Sequence, residues 1–260
     1  MARSFFGKTL HSVSAFLLGD TLVDSGCPAT ATELASWCEA RDIRRVVHTH
    51  HHEDHVGGDR RLILRFGVEV WAPARSAAIM ASFYTLPWYR RLVWGQPEDV
   101  MARPYGADVE IGSHRFLAIP TPGHCRDHVC LFDPDRRWLF SGDLFIHERV
   151  THLRVAEDAH TILASLRRVL ELEPHLVICS HAGFVVDPCT ALENRIRFWE
   201  QLAREARDLI NQGGGLRVAR RRLLGSEGLL KILSGGDFSK GNLIRSLLRS
   251  GGGAECIHSK

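Results

Sequence analysis

The sequence predicts an α/β fold, because short apolar segments alternate with amphipathic ones along most of its 260 residues. The apolar segments have the length of strands and are bounded by Gly, Pro or Asp. Hydrophobic residues make up 45% of the chain, which is long enough to bury a full core. No apolar run reaches the roughly 18 residues that a membrane-spanning helix needs.

The first half begins with a predicted hairpin. Residues 13–18 and 21–24 flank a Gly-Asp turn. A helix is predicted over residues 30–41, with Thr30 or Thr32 as its N-cap. The next elements are a strand at 46–49, a helix at 59–66, a strand at 68–71 and a helix at 74–83.

The second half repeats the alternation and ends in helices. The predicted strands lie at 109–111, 115–119, 128–132, 138–141 and 176–180, with a helix at 160–172 before the last of them. A helix over 191–211 stops at three glycines, and two shorter helices should follow. We therefore expect a catalytic domain over residues 1–190 and a helical extension over residues 191–260.

Positive charge is concentrated in the last part of the chain. Residues 195–260 contain 13 Lys and Arg against 6 Asp and Glu, although the whole chain has a net charge of only +3. A basic segment can bind nucleic acid. Here the basic residues are interspersed with Leu and Ile at helical spacing, which favours a solvated helix face.

The cysteines and the N-terminal residues bear on the compartment. Seven cysteines are scattered and form no C-x-x-C pair, which suits a reducing environment. The first residues are not followed by a signal-like apolar region. We therefore expect a cytoplasmic protein. Ser141 lacks a G-x-S-x-G setting, so no side chain is predicted as the nucleophile.

One stretch concentrates metal-binding side chains. Residues 49–58 read T-H-H-H-E-D-H-V-G-G, after an apolar strand. The candidate ligands in it are His50, His52, Asp54 and His55. Imidazole and carboxylate together suit zinc and similar metals. A His-rich loop can also be only a solvated turn.

Three later positions offer further ligands at predicted strand ends. His124 follows T-P-G, Asp143 follows S-G, and His181 ends an apolar run. A two-metal site needs roughly five to seven protein ligands around a shared water. The chain supplies that number.

These motifs, in this order and with V-D-S-G at residues 23–26, resemble the metallo-β-lactamase superfamily, in the branch of glyoxalase II and lactamase-beta-like proteins. The resemblance covers residues 12–185. It implies a four-layer αβ/βα sandwich with metal ions at one edge between two sheets, and a small helical C-terminal extension.

The resemblance also implies roles for the candidate residues. It places His50, His52 and His124 around a first ion, with Asp54, His55 and His181 around a second and Asp143 between the two. Asp24 would lie behind the ligands and orient one of them, or it could simply form a turn.

The implied function is that of a dinuclear hydrolase with two zinc ions, although iron or manganese would also suit the ligands. A water held between the ions would lose its proton near neutral pH and attack a small ester, thioester, lactone or amide carbonyl. Asp54 would move the proton to the leaving group. The expected partner is a small molecule, with no membrane and with nucleic acid not favoured.

Other functions remain open. The same motifs occur in phosphodiesterases or ribonucleases, in iron-dependent sulfur dioxygenases and in ligand-sensing relatives. The segment after Ser141 lacks the cysteine-glycine-arginine sequence expected of glyoxalase II itself.

Two segments are candidates for the substrate cleft. Residues 84–105 are rich in aromatics and prolines without a clear period, and residues 146–158 follow the strand that carries Asp143. The first could instead be an insertion packed on its own domain. No single residue is assigned to substrate binding, and the sequence indicates no oligomeric state.

Overall fold

The structure is a computed structural model that describes residues 2–5, 8–82 and 84–249, with side chains from residue 12 onward. Phe83, at the end of the helix predicted over 74–83, lies outside the described residues. So do residues 250–260 of the predicted C-terminal extension, including Cys256.

The first half of the chain forms a small antiparallel pair and a five-stranded sheet. The pair is β1 (Ala2–Phe5) with β2 (Lys8–Ser12). The sheet contains, in spatial order, β3 (Phe16–Leu18), β4 (Thr21–Val23), β5 (Arg45–Val47), β6 (Glu69–Pro73) and β7 (Arg103–Tyr105). Its helices are α1 (Ala31–Cys38), α2 (Glu53–Val56), α3 (Asp59–Phe66), α4 (Ala74–Met80) and α5 (Trp88–Val93). The antiparallel β3–β4 pair confirms the predicted hairpin.

The second half contains a six-stranded sheet with the spatial order β14-β13-β11-β10-β9-β8. The strands of this half are β8 (Asp108–Ile111), β9 (His114–Pro120), β10 (Val129–Asp133), β11 (Trp138–Gly142), β12 (Leu153–Arg154), β13 (Leu176–Cys179), β14 (Gly183–Val185) and β15 (Phe238–Ser239). Its helices are α6 (Ala159–Leu170), α7 (Pro188–Asn211), α8 (Leu216–Leu224), α9 (Leu229–Leu233) and α10 (Lys240–Leu248). Among the described strands, β12 and β15 pair only with each other.

Three apolar clusters separate four layers. Successive strand residues point to opposite faces of a sheet. In β5, Val46 packs with Leu62 of α3, whereas Val47 packs between the sheets with Phe140 of β11. Leu139, beside Phe140, points the other way into the cluster formed with the C-terminal helices. The order of layers is therefore helix, sheet, sheet, helix, which confirms the expected αβ/βα sandwich.

Several predicted boundaries differ from the structure. α1 begins after a 3-10 turn (Pro28–Thr30), and the Thr30 hydroxyl contacts Cys27 instead of capping the helix. Residues 84–105 contain α5 and β7. Three helices, not two, follow the glycines at 213–215 in the part of the chain described. The extra elements are too short for a period to be recognised in the sequence.

The C-terminal helices share their core with the second sheet. The apolar face of α7 packs in the same cluster as residues of β10 and β11. The domain boundary at residue 190 stays a prediction. Among the described helices, none combines the length and apolar character needed to cross a lipid bilayer.

Candidate metal centre

The candidate ligands are carried by loops at the ends of strands from both sheets. The loop after β5 and the start of α2 supply four of them, and the β9–β10 loop supplies His124. Asp143 follows β11 and His181 follows β13, and because these two strands are parallel their carboxyl ends lie at the same edge. The structure therefore brings all seven predicted ligands together, namely His50, His52, Asp54, His55, His124, Asp143 and His181.

The first set contains three histidines and one carboxylate. One ligand atom from each of His50, His52, His124 and Asp143 lies within 4.8 Å of the others. His52 Nδ1 lies 2.8 Å from His124 Nε2, and His124 Nε2 lies 3.2 Å from Asp143 Oδ2. All four residues are buried, so bulk water cannot satisfy these atoms.

The second set contains two carboxylates and two histidines. One ligand atom from each of its members also lies within 4.8 Å of the others, and the members are Asp54, His55, Asp143 and His181. Asp143 Oδ1 lies 3.1 Å from His55 Nε2 and 3.2 Å from His181 Nε2. Asp54 Oδ2 lies 3.6 Å from His181 Nε2. Asp143 belongs to both sets, with one oxygen toward each.

Hydrogen bonds to one ring nitrogen of three of the histidines leave the other ring nitrogen able to bind a metal ion. Nδ1 of His55 bonds Asp24 at 2.7 Å, Nδ1 of His124 bonds Glu157 at 2.6 Å, and Nδ1 of His181 bonds the carbonyl of Ser12 at 2.8 Å. These acceptors hold the proton on Nδ1 and leave Nε2 as a lone-pair donor, the arrangement typical of metal-binding histidines.

His50 provides the clearest test of whether the residues fit a metal ion. Its Nδ1 bonds the Thr49 hydroxyl at 3.0 Å, and its Nε2 is completely buried without any hydrogen-bond partner in the described residues. A buried orphan nitrogen is costly unless an ion occupies the neighbouring space. The ligand sets therefore fit divalent metal ions.

Asp24 links several parts of the site. Besides His55, it accepts hydrogen bonds from the backbone amide of Thr49 at 3.0 Å and from the Thr49 hydroxyl. Burial alone would raise the pKa of Asp24, but His55 and His48 outweigh burial and hold the pKa well below its usual value. The charged carboxylate thus fixes both the ligand loop and the ring of His55.

His128, which sequence reasoning missed, positions Asp143. Its Nε2 accepts the backbone N–H of Asp143 at 3.0 Å, so its Nδ1–H donates to the Thr121 hydroxyl at 2.8 Å. Burial, followed by the neighbouring His124, lowers the pKa of His128 to about 3, which keeps the ring neutral. Gly142 lies against this ring with a φ of +48°, and a Cβ there would come within 2.6 Å of His128 Nε2. This explains the glycine of the S-G-D motif.

Two other residues of the His-rich run, Glu53 and His51, have partners of their own. Glu53 is 1% exposed and receives two hydrogen bonds from Arg90 of α5, at 2.7 and 2.5 Å. His51 contacts Asp127 at 2.7 Å, and Asp127 also accepts from Ser76 at 2.6 Å. These contacts tie the ligand loop to α5, to the start of β10 and to α4.

A cavity of about 590 Å³ opens onto the candidate ligands. Both candidate cleft segments line it, since Trp94 comes from 84–105 and Val150 from 146–158. Trp199, Leu230 and Phe238 add apolar wall from the C-terminal part. The candidate ligands Asp54, His124, Asp143 and His181 form one end of the cavity. The cavity has the size and lining of a small-molecule site.

Glu157 was also missed by the sequence analysis. It lies in the segment 146–158, predicted only as a rim, and reaches His124 from the loop before α6. No spacing in the sequence connects it with the T-P-G-H motif.

The chain is similar to proteins of one family. A family model described as the metallo-beta-lactamase superfamily matches residues 9–181. A beta-lactamase-like protein 2 homolog of Caenorhabditis elegans is 31% identical over 192 residues, covering 69% of this chain and 58% of that protein. A hydroxyacylglutathione hydrolase of Bdellovibrio bacteriovorus is 27% identical over 143 residues, covering 54% and 49%. The chain thus spans about half the length of these curated relatives.

Solved structures agree with the fold. A metallo-beta-lactamase family protein from Thermus thermophilus has a TM-score of 0.64 at 17% identity, covering 95% of this chain and 88% of that one. A beta-lactamase domain protein from Burkholderia ambifaria has a TM-score of 0.63 at 20% identity, covering 95% and 78%. At this identity the likeness concerns the fold alone.

Proposed function

Because the chain belongs to the metallo-β-lactamase superfamily, we propose that it is a metal-dependent hydrolase of a small ester, thioester, lactone or amide. The observation that carries the proposal is the pair of ligand sets that share Asp143 at one end of an apolar cavity. The relatives named hydroxyacylglutathione hydrolase support placing acyl thioesters first among the candidates.

Two zinc ions are the proposed cofactors. His50, His52 and His124 would hold one, Asp54, His55 and His181 the other, with Asp143 between them. When bound, such ions supply a water that is deprotonated near neutral pH and polarise the oxygen of the substrate carbonyl. Zinc is preferred because nitrogen ligands dominate, although iron and manganese also accept His and Asp.

Asp54 is the proposed proton carrier. Its carboxylate is buried, lines the cavity and lies 3.6 Å from His181 Nε2. It can accept a proton at the ligand end of the cavity and deliver it to a leaving group on the cavity side. General acid–base groups of this kind contribute about 100- to 10,000-fold to a rate.

The lining of the cavity supports a small substrate. Aromatic and aliphatic side chains form much of its wall, and the basic stretch Arg220–Arg222 of α8 does not line it. A nucleic acid would need several unpaired cations along its path.

The test uses the full chain loaded separately with zinc, manganese or ferrous iron. Metal content is measured by mass spectrometry, and hydrolysis is followed with an acyl glutathione, a p-nitrophenyl ester, a lactone, a β-lactam and bis-p-nitrophenyl phosphate. We expect two zinc ions per chain and turnover of a carbonyl substrate. Turnover confined to the phosphodiester, or to none of the panel, would overturn the proposal.

Asp54→Asn tests the mechanism, with the exposed Asp135→Asn as its matched control. We expect kcat to fall by at least about 100-fold in the first variant and to be unchanged in the second. Circular dichroism and metal content show whether the variant is still folded and loaded. A loaded Asp54→Asn enzyme with full activity would contradict the assignment.

A further inference from the structure

One arginine in the cavity wall has no acidic partner among the residues that the structure describes. Three arginines line the cavity, and two of them face carboxylates: Arg90 bonds Glu53, and Arg154 lies 3.7 Å from Glu157. Arg195 of α7 is only 3% exposed, and within the described residues it forms no ion pair. A guanidinium removed from water without a counterion is energetically costly.

The contacts of Arg195 hold it in place but leave donor capacity unused. Its guanidinium lies 3.7 Å from the ring of Trp199, and its Nη1 donates to the carbonyl of Val150 at 3.3 Å. Its Nε–H is buried and has no acceptor among the described residues. Trp199 is itself fixed, because its indole N–H donates to the same Val150 carbonyl at 2.8 Å. The arginine is therefore preorganised with a free donor.

We propose that Arg195 binds a carboxylate on the substrate, so that the preferred substrate is an acyl compound with an apolar body and a free acid group. The proposal rests on the hydrolase function proposed above. A carboxylate is the group that best matches a guanidinium edge, through two parallel charge-assisted hydrogen bonds.

The geometry of the cavity suits such a molecule. Arg195 and the candidate ligands Asp143 and His181 line one continuous space of about 590 Å³. Apolar side chains, among them Val150, line the same space. A substrate of ordinary metabolite size could place its reacting carbonyl at the ligands and its acid group at Arg195.

The charge balance favours a monoanion over a phosphate. Burial lowers the pKa of Arg195, and the nearby Glu157 offsets this effect only in part. Glu157 is already engaged by His124 and Arg154. The single positive charge of the guanidinium is balanced by a carboxylate, which carries one negative charge. A phosphate monoester carries nearly two negative charges and would leave one of them unbalanced.

The test compares two substrates that differ only in the acid group: the p-nitrophenyl monoester of adipic acid and its neutral methyl-capped diester. We expect the wild-type enzyme to prefer the free acid by about 10-fold or more in kcat/KM, since the neutral ester cannot form the charge-assisted hydrogen bond. In Arg195→Met the KM for the acid should rise by that factor, and the KM for the neutral ester should change much less. Arg195→Lys, which keeps the charge, should recover part of the preference.

Arg197→Met is the matched control, because Arg197 lies on the same helix but is exposed and paired with Glu193. It should leave both substrates unaffected. If Arg195 only supported the fold, Arg195→Met would lower the melting temperature and weaken both substrates equally. We expect instead an unchanged or higher melting temperature, since replacing a buried unpaired charge by an apolar group relieves its desolvation.

A measurement of ligand binding without hydrolysis tests the carboxylate subsite independently of the proposed hydrolase function. Monomethyl adipate is titrated into the zinc-loaded wild type and Arg195→Met by calorimetry, with methylphosphonate-ended and neutral analogues alongside. Weaker binding of the acid to the variant supports the carboxylate subsite even if no ester is hydrolysed. Equal binding to both proteins, or a preference for the phosphonate, overturns the subsite even if neutral esters are hydrolysed.

Discussion

Glu157 accepts a hydrogen bond from Nδ1 of His124 at 2.6 Å, from a segment more than thirty residues further along the chain. The contact holds the proton on Nδ1 and directs Nε2 of His124 toward Asp143. The orientation of a candidate ligand therefore depends on the rim segment 146–158.

Glu157→Gln should weaken zinc binding by about 10- to 100-fold, the usual effect of removing a carboxylate behind a ligating histidine. Competition with a chromophoric zinc chelator measures the change. Glu171→Gln, at the exposed C-terminal end of α6, is the control and should bind zinc normally. Unchanged affinity in Glu157→Gln would show that the contact is incidental.

Gly142→Ala should destabilise the protein and displace Asp143. The new Cβ would come within 2.6 Å of His128 Nε2 at a φ of +48°. Gly67→Ala is the matched comparison, since Gly67 also has a positive φ of +66° but nothing lies within 4 Å of its Cβ position. Urea unfolding should show a loss of about 1 kcal/mol for Gly67→Ala and roughly 2 kcal/mol more for Gly142→Ala. Equal losses would mean that backbone strain alone explains the glycine.

Arg90→Met should cost roughly 3 kcal/mol of unfolding free energy, because it leaves Glu53 buried and unpaired. The double variant Glu53→Gln/Arg90→Met should regain most of that loss, since no uncompensated charge remains. Arg91→Met, an exposed neighbour on α5, should be close to neutral. Additive effects in the double variant would be inconsistent with a coupled pair.

Asp127→Asn should show a pH-dependent loss of stability. Burial raises the pKa of Asp127, but hydrogen bonds from His51, Ser76 and Cys125 outweigh it and hold the pKa below the ordinary value of 3.8. A carboxylate with a depressed pKa in the folded state contributes stability above the unfolded pKa and loses it as the pH falls further. The gap between wild type and variant should be about 1 to 3 kcal/mol at pH 7 and narrow below about pH 4. Urea unfolding across this range checks it, with the exposed Asp99→Asn as control, and a gap that widened on acidification would refute it.

The clustering of the candidate ligands could be predicted from the sequence because each lies in a segment that follows a short apolar strand. His124, Asp143 and His181 follow β9, β11 and β13, and a ligand next to a strand end is placed by the sheet itself. The positions of the candidate ligands could therefore be inferred from the residues next to them in the sequence.

The opposite end of the cavity could not be predicted in this way. Arg195 lies in the middle of a long helix, and in the sequence it is one basic residue among many. The role proposed for it depends on its burial without a counterion among the described residues, and that burial depends on how α7 packs on the second sheet. His128 and Glu157 were missed for the same reason, since their roles arise from contacts between segments distant in the chain.

β12 and β15 join the rim of the cavity to the C-terminal part through one two-residue ladder, Leu153–Arg154 with Phe238–Ser239. Tyr89 of α5 bonds Asp237, next to that ladder, and the amide of Val155 bonds the Asp237 carbonyl at 3.0 Å. A chimera joined near residue 190 would therefore combine two halves of the ladder that had not evolved together. To exchange substrate preference between related chains, the segment 146–158 and the C-terminal helices should therefore be transferred together. The loops that carry the candidate ligands can stay those of the recipient chain.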